Sequence, residues 1–357
     1  MVAFDKFLAD SLLLIKKIKM LRSSIIVPFS LYILIIAGCN NTKTVYFNGE
    51  TMGTTYSISI VNDSGAIVDN EKFQLQVDSL LNEFNLIVST YIEESEISRF
   101  NRNRDVQTIS VSDTFYKIVE KSIQLYKASN ATFDVTVQPL VDLWGFGPEF
   151  KITHTPDSTS IIDAIEHTGS DNLVLINGKI LKTDSLLQID LSAIAKGWGV
   201  DLVGEFLEIS GIKNYLVEIG GEVLVRGKNA SKSRWEVGIR QPEPLNPKLV
   251  TKIKISDKAV ATSGTYQNFF SVNGVNYSHI LNLNTGFPIK HDLVSATVIA
   301  NNCAEADAIA TAIMVKGFED GLKWVETMEN VDCYLISQTV SGGLKAGMSK
   351  GFEEFLN

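Results

Sequence analysis

Histidine and cysteine are scarce in this chain, four and three among 357 residues. No C-x-x-C or H-x-x-x-H spacing is present, which argues against a zinc site, structural or catalytic. There is no G-x-G-x-x-G and no G-x-x-x-x-G-K-[ST], so the generic dinucleotide and P-loop fingerprints are missing. Nor is there an apolar run of the roughly 20 residues that a permanent membrane helix requires. Positive charge is in deficit, with a formal net charge of −9, which disfavours nucleic acid and anionic lipid as charge-bound partners. Low-complexity tracts and clear internal repeats are absent too. What is there is 45% hydrophobic and 20% charged, the balance of a folded body of one or two domains.

Only the beginning departs from that balance. Ile25 to Ala37 is apolar, preceded by Lys16, Lys17, Lys19 and Arg22 and followed abruptly by Cys39-Asn40-Asn41-Thr42. A basic region, a short apolar core and small residues make a secretory signal. The junction Ile36-Ala37-Gly38-Cys39 resembles a bacterial lipobox, in which Cys39 is lipidated and becomes the first mature residue. A signal-anchor helix with an incidental cysteine is the other reading. Residues 1–38 are thus expected to be a lipoprotein signal, 39–45 a linker and 46–357 the working domain. Met20 is a second candidate start, because residues 20–38 form a complete signal alone. Removing residues 1–38 leaves 27 basic and 39 acidic residues, a net charge of −12. Cys303 and Cys333 then remain, as a disulfide or as two buried thiols.

Periodicity supplies the elements. Thr55 to Val61 alternates as a half-buried strand, and Phe73, Val77, Leu80, Leu81, Phe84 and Ile87 recur at helical spacing. Asp113 to Ala128 predicts a second helix, with Ser112 as its N-cap and Phe115, Val119, Ser122, Ile123 and Tyr126 on one stripe. Ser89 to Asn103 reads as a polar loop, and residues 133–150 as irregular structure around a buried aromatic. Asn177-Gly178 marks a hairpin within Leu173–Thr183, and Asn273-Gly274 marks another. Strands are expected over Tyr215–Ile219, Glu222–Gly227, Trp235–Ile239, Lys252–Ser256 and Leu293–Ala300 and near Tyr334, with a loop at Pro242, Pro244 and Pro247. Helices are expected over Ala304–Val315 and around Asp320–Met328. Strands and helices fall in separate runs, so the class is α+β with antiparallel sheets and flanking helices.

The stretch Asp190 to Asp201 sits where a strand-like run gives way to a helix-like one carrying Ile194, Trp198, Leu202 and Phe206. Such a corner exposes helix N-terminal N–H groups, which favour anions such as phosphate. Lys196 can pair there with a phosphate or with Asp190. Asp307 and Thr311 are one helical turn apart and share a face; a carboxylate and a hydroxyl are hard oxygen donors suited to Mg²⁺. The same pair also reads as a solvated aspartate and a threonine bonded to its own helix. His279, beside a polar turn, has the setting of a general base or of a packed strand-end residue. His154, His167 and His291 have no comparable setting. Glu218-Ile219-Gly220-Gly221-Glu222 and Thr262-Ser263-Gly264-Thr265-Tyr266 either line a ligand or make tight turns.

The order of these segments carries more than any one of them. Met52-Gly53-Thr54-Thr55-Tyr56, Ser89-Thr90-Tyr91, Ser95 to Asn101, Phe133 to Leu140 and Leu143-Trp144-Gly145-Phe146-Gly147 resemble the ApbE family of FAD:protein FMN transferases. The likeness continues through Asp190–Asp201, Val217–Glu222, Ala261–Tyr266, His279–Pro288 and Ala306–Thr311, covering roughly residues 46–345. It implies an α+β fold with T-fold-like subdomains, and an exported enzyme, lipid-anchored to a bacterial membrane and facing the periplasm. It also implies FAD as substrate, Mg²⁺ as cofactor, and transfer of FMN to a threonine in an acceptor protein with release of AMP. A periplasmic FAD pyrophosphatase and a flavin-binding lipoprotein without turnover are the alternatives. Carried over by position, Met52, Tyr91, Thr132, Phe133, Asp134, Asp190, Lys196 and Leu281 match FAD-contacting residues. Ala193, through its backbone oxygen, matches the metal site with Asp307 and Thr311, and His279 matches the base for the acceptor threonine. The chain departs from the family pattern at Ser192, where glycine is usual, at Thr265, where aspartate is common, and at Leu283-Asn284, where Pro-Lys is common.

Overall fold

The computed structural model describes residues 43–356, apart from 63–69, 149–154, 244–247, 267–268 and 273. Cys39 and the whole expected signal therefore lie outside the described residues, as do His154, Pro244, Pro247 and Asn273. An eight-stranded sheet is the centre of the fold. Its members are β1 (Lys43–Thr51), β2 (Thr54–Asn62), β6 (Tyr215–Ile219), β7 (Glu222–Arg226), β10 (Lys258–Gly264), β15 (Leu293–Ala300), β16 (Asp332–Gln338) and β17 (Leu344–Met348), in that spatial order. Every neighbouring pair is antiparallel, and the expected α+β class holds.

Helices cover one face. α1 (Asn70–Val88) and α6 (Ser192–Ile209) bury Phe73, Val77, Leu81, Val200, Val203 and Leu207 against Tyr56, Ile58, Ile60, Val217 and Ile219. Each such buried aliphatic or aromatic side chain contributes about 1.5–3 kcal/mol. The hairpin of β8 (Trp235–Arg240) and β9 (Leu249–Ile255) covers the other face, packing Trp235, Ile253 and Ile255 on Val223, Val225 and Ile299. A third cluster lies under α7 (Cys303–Lys316), where α2 (Glu96–Arg102) and α3 (Asp113–Ala128) bury Ile97, Phe100, Phe115 and Val119.

Several expectations are met closely. Ser112 caps α3 by accepting from the Phe115 N–H. Asn177-Gly178 turns β4 (Leu173–Ile176) into β5 (Lys179–Lys182), both residues at positive φ as that two-residue turn requires. β11 (Phe269–Val272) and β12 (Val275–Ser278) flank the second expected hairpin. Others are corrected. The polar stretch 89–103 holds α2, capped by Ser95 and carrying the buried Ile97, Phe100 and Asn101. Residues 133–150 contain a 3₁₀ turn at Val135–Val137 and α4 (Gln138–Leu143), with Trp144 buried as expected. α5 (Ser158–Glu166), capped by Asp157, was not expected. α8 spans Phe318–Val325 rather than 320–328. Thr262, Ser263 and Gly264 end strand β10 instead of forming a turn.

The stripe on α6 is also rotated. Trp198, Leu202 and Phe206 are only half-buried, whereas Gly197, Gly199, Val200, Val203, Gly204 and Leu207 face the interior. Glycine admits a close neighbour here: a β-carbon on Gly197 would lie 2.3 Å from the Cys303 carbonyl oxygen. α6 and α7 therefore touch backbone to backbone. Asp201 fixes the contact, its carboxylate accepting from the Cys303 and Ala304 N–H groups at 2.8 Å each. Those are orphan donors of the α7 N-terminus, so one helix supplies the anionic cap of the other. Cys303 and Cys333 are two separate buried thiols, with no disulfide between them.

Candidate functional site

The corner before α6 is built by Asp190. Its N–H donates to the Val135 carbonyl at 2.7 Å, and its carboxylate accepts from the Ser192 N–H at 2.6 Å. Burial pushes the Asp190 carboxyl up, while the Ser192 bonds and the charges of Lys196 and His279 pull it down. Burial, then Asp190 and Asp142, raise the Tyr91 phenol. Tyr91 is 71% exposed and its hydroxyl donates to the Phe146 carbonyl at 3.3 Å. The Phe146 ring in turn meets the His279 imidazole edge-on at 6.3 Å between centroids. Tyr91, Phe146, His279, Asp190 and Lys196 thus share one electrostatic neighbourhood. His279 lies between β12 and β13 (Leu281–Asn282). His167 and His291 are engaged elsewhere, with Asp184 and with the Met314 carbonyl.

The second half arrives from α7. Asp307 is 2% exposed, and its Oδ2 accepts from the Gly197 N–H at 3.1 Å. In a regular helix that N–H belongs to the Ala193 carbonyl, four residues earlier. The Asp307 carboxylate and the Ala193 carbonyl thus converge on one N–H of α6. Lys196 Nζ stands 3.5 Å from Asp307 Oδ2 and 3.5 Å from Glu222 Oε1. Burial works against the Lys196 charge, yet Asp307 and then Glu222 outweigh it and raise its pKa above the usual lysine value. Burial raises both carboxyls despite Lys196. One turn beyond Asp307, the Thr311 hydroxyl lies 3.2 Å from Ser263 Oγ on β10.

This donor set fits a divalent cation. Two buried carboxyl groups face one ammonium, an excess of negative charge once both are ionised, and Glu222 Oε2 is buried without a hydrogen-bond partner. An unmet buried acceptor costs about 1–3 kcal/mol, and a cation or its waters would remove that cost. The oxygens of Asp307, Thr311 and Ala193 are the hard ligands Mg²⁺ prefers. Among the described residues no group of three His, Cys, Asp or Glu side chains is placed to hold a metal, so a cation here would need a hydroxyl and a carbonyl as well.

The remaining expected residues divide. Met52 occupies the tight turn of the β1–β2 hairpin at φ +50°, and its methyl group packs against Gly199 of α6. Thr132 turns its hydroxyl to the Ser129 carbonyl. Phe133 and Leu281 are core side chains, Leu281 beside Trp144 and Ile161. The Asp134 carboxylate is taken up by Thr136 and Ser170. Sequence reasoning gave no role to Glu222 or Ser263, although it singled out both glycine-bearing segments that contain them.

The model of the ApbE family matches residues 52–335. The chain is 39% identical to an FAD:protein FMN transferase of Vibrio cholerae, over 91% of this chain and 97% of that one. It is 37% identical to one of Haemophilus influenzae, over 87% and 91%. Among solved structures it is similar to the flavin transferase ApbE from Vibrio cholerae, with a TM-score of 0.81 and 38% identity over 88% of this chain and all of that one. The apo form of Pseudomonas stutzeri flavinyl transferase ApbE has a TM-score of 0.81 at 32% identity, over 88% of this chain and 97% of that one.

Proposed function

The chain belongs to the ApbE family and is an enzyme that transfers FMN from FAD to a protein, and on that premise we propose a magnesium-dependent transfer to a threonine hydroxyl. The observation that carries the site is the 3.1 Å bond from the Gly197 N–H to Asp307, which joins segments 110 residues apart. The acceptor oxygen attacks the FMN phosphorus and the bridging P–O bond of the pyrophosphate breaks. AMP leaves, and FMN remains on the threonine as a phosphoester. A hydroxyl is a weak nucleophile, so a base must take its proton; His279 is that base, held beside Phe146.

Mg²⁺, held by the Ala193 oxygen, Asp307 and Thr311, would supply stabilisation of the charge that builds on the phosphoryl oxygens. Lys196 and the N-terminus of α6 attract the anionic pyrophosphate. Tyr91 and Met52 border the flavin, Asp190 orients the corner, and Thr132, Phe133, Asp134 and Leu281 contribute mainly backbone. The enzyme is exported and lipid-anchored through Cys39, a reading supported by the signal pattern over residues 25–39. A lipid suits an acidic body that has little charge attraction to a membrane.

Incubating the purified protein with FAD, Mg²⁺ and a candidate acceptor tests this. Flavin fluorescence in a denaturing gel, together with AMP release, is expected. FMN and AMP with an unlabelled acceptor would replace the transferase reading with FAD hydrolysis. His279→Ala is expected to slow transfer about 10²- to 10⁴-fold with little change in FAD binding; an unchanged rate removes His279 from the mechanism.

A further inference from the structure

Glu222 is the least expected charge in the protein. It opens β7 at 2% exposure, where glutamate is almost never found unless paired. Its Oε1 reaches Lys196 at 3.5 Å, while Oε2 is equally withdrawn from water and meets no donor. Lys196 also passes Gly220, at the turn that leads into β7. What the carboxylate faces is the ammonium that also faces Asp307.

We infer that Glu222 is a positioning residue of the cation site, holding Lys196 in check and supplying the negative charge that admits a divalent ion. The inference rests on the magnesium reading above. With both carboxyls ionised, as a dication beside them favours, Asp307, Glu222 and Lys196 together carry one net negative charge. Without Glu222 the sum is zero, and a dication gains no net attraction from the cluster. Asp307 also becomes the one carboxylate left at ion-pair distance from Lys196 among the described residues, so ammonium and metal contend for one side chain. A purely structural glutamate, filling space under the Gly220-Gly221 turn, predicts a change in stability but none in cation affinity.

The two roles separate in a binding measurement made without FAD. The chelator-treated full chain is titrated with Mn²⁺ alone, an oxygen-seeking stand-in for Mg²⁺, and free ion is followed by electron paramagnetic resonance. Glu222→Gln should weaken binding about tenfold or more, while thermal unfolding in chelator confirms that the variant is folded. Lys196→Gln removes the opposing charge and should tighten binding. Parent-like affinity in Glu222→Gln overturns the inference, as does a shift of both variants in the same direction. Should Glu222→Gln not fold, Lys196→Gln decides alone, and unchanged or weaker binding overturns it. A parent chain that binds no Mn²⁺ defeats the metal reading itself, an outcome distinct from failure of Glu222.

Discussion

Lys182 and Lys196 are both drawn in from bulk water, but neutral dipoles surround the first and carboxylates the second. Lys182, on β5, has no exposed surface. It donates to the carbonyls of Phe100, Asn103 and Leu187 and lies 5.1 Å from the centre of the Phe100 ring. Two of those carbonyls end α2, where the helix dipole favours a cation. Burial, followed by the nearby Arg104 charge, nevertheless brings its pKa down to about 8. Lys196 moves the other way because Asp307 and Glu222 carry full charges. Carbonyl dipoles can orient a buried ammonium without keeping it charged at high pH; carboxylates do both. The first arrangement serves as a structural rivet, the second as an electrostatic device.

The largest expected effect comes from breaking the second arrangement. Asp307→Ala removes the carboxylate proposed to hold the metal and a partner of Lys196 at once, and turnover should fall by at least about 10³-fold. AMP release at near-parental rate would show that Asp307 is no different in kind from the neutral partners of Lys182. Next is Gly197→Ala. The added methyl group meets the Cys303 carbonyl, so α6 and α7 must part, at a cost of about 1–3 kcal/mol in denaturant unfolding. Activity should fall with it, because the same shift disturbs the Gly197–Asp307 bond. Full activity in a folded variant would mean that the close helix contact is not needed at the site.

The smallest effect on catalysis belongs to Lys182→Met. Three carbonyls lose a donor and stability should drop by about 2–3 kcal/mol, with turnover at moderate temperature near parental. Its pH signature has a definite sign. An unfolded lysine titrates near 10.4 and the folded one near 8. Between those values only the unfolded chain holds the proton, so the Lys182 contribution to stability rises with pH. The parent-minus-variant difference in unfolding free energy should therefore climb between about pH 8 and 10.4. A flat difference would erase the contrast between the two lysines.

Where the sequence was legible, the reason was local. The α3 helix shows its cap at Ser112 and Phe115, Val119 and Ser122 of its buried face within sixteen residues, though Ile118 and Leu125 complete that face in place of the expected Ile123 and Tyr126, and Asn177-Gly178 declares its own turn. Asp307 and Thr311 could be paired because a helix fixes their spacing. α2 stayed hidden because three buried residues in a seven-residue helix leave little periodicity. The rotated face of α6 was missed because its interior glycines carry no apolar side chain to count, yet they are what lets α7 approach. Glu222 was recognisable only as part of a glycine-bearing segment. A charged residue is read as exposed unless its partner is visible, and Lys196 reaches it only through the fold.

The Asp201 cap on α7 also has a consequence in time. The segment from Asp190 to Asp201 can form its corner and much of its helix as soon as it is made. Its carboxylate, however, awaits N–H groups that begin a hundred residues later. Closing so long a loop is slow compared with forming a turn or a helix. During synthesis, a chain that stops before Cys303 has the corner complete and the proposed cation ligands Asp307 and Thr311 still unmade. Six of the eight sheet strands precede Cys303 in the chain, so these two side chains arrive only after most of the sheet has been made.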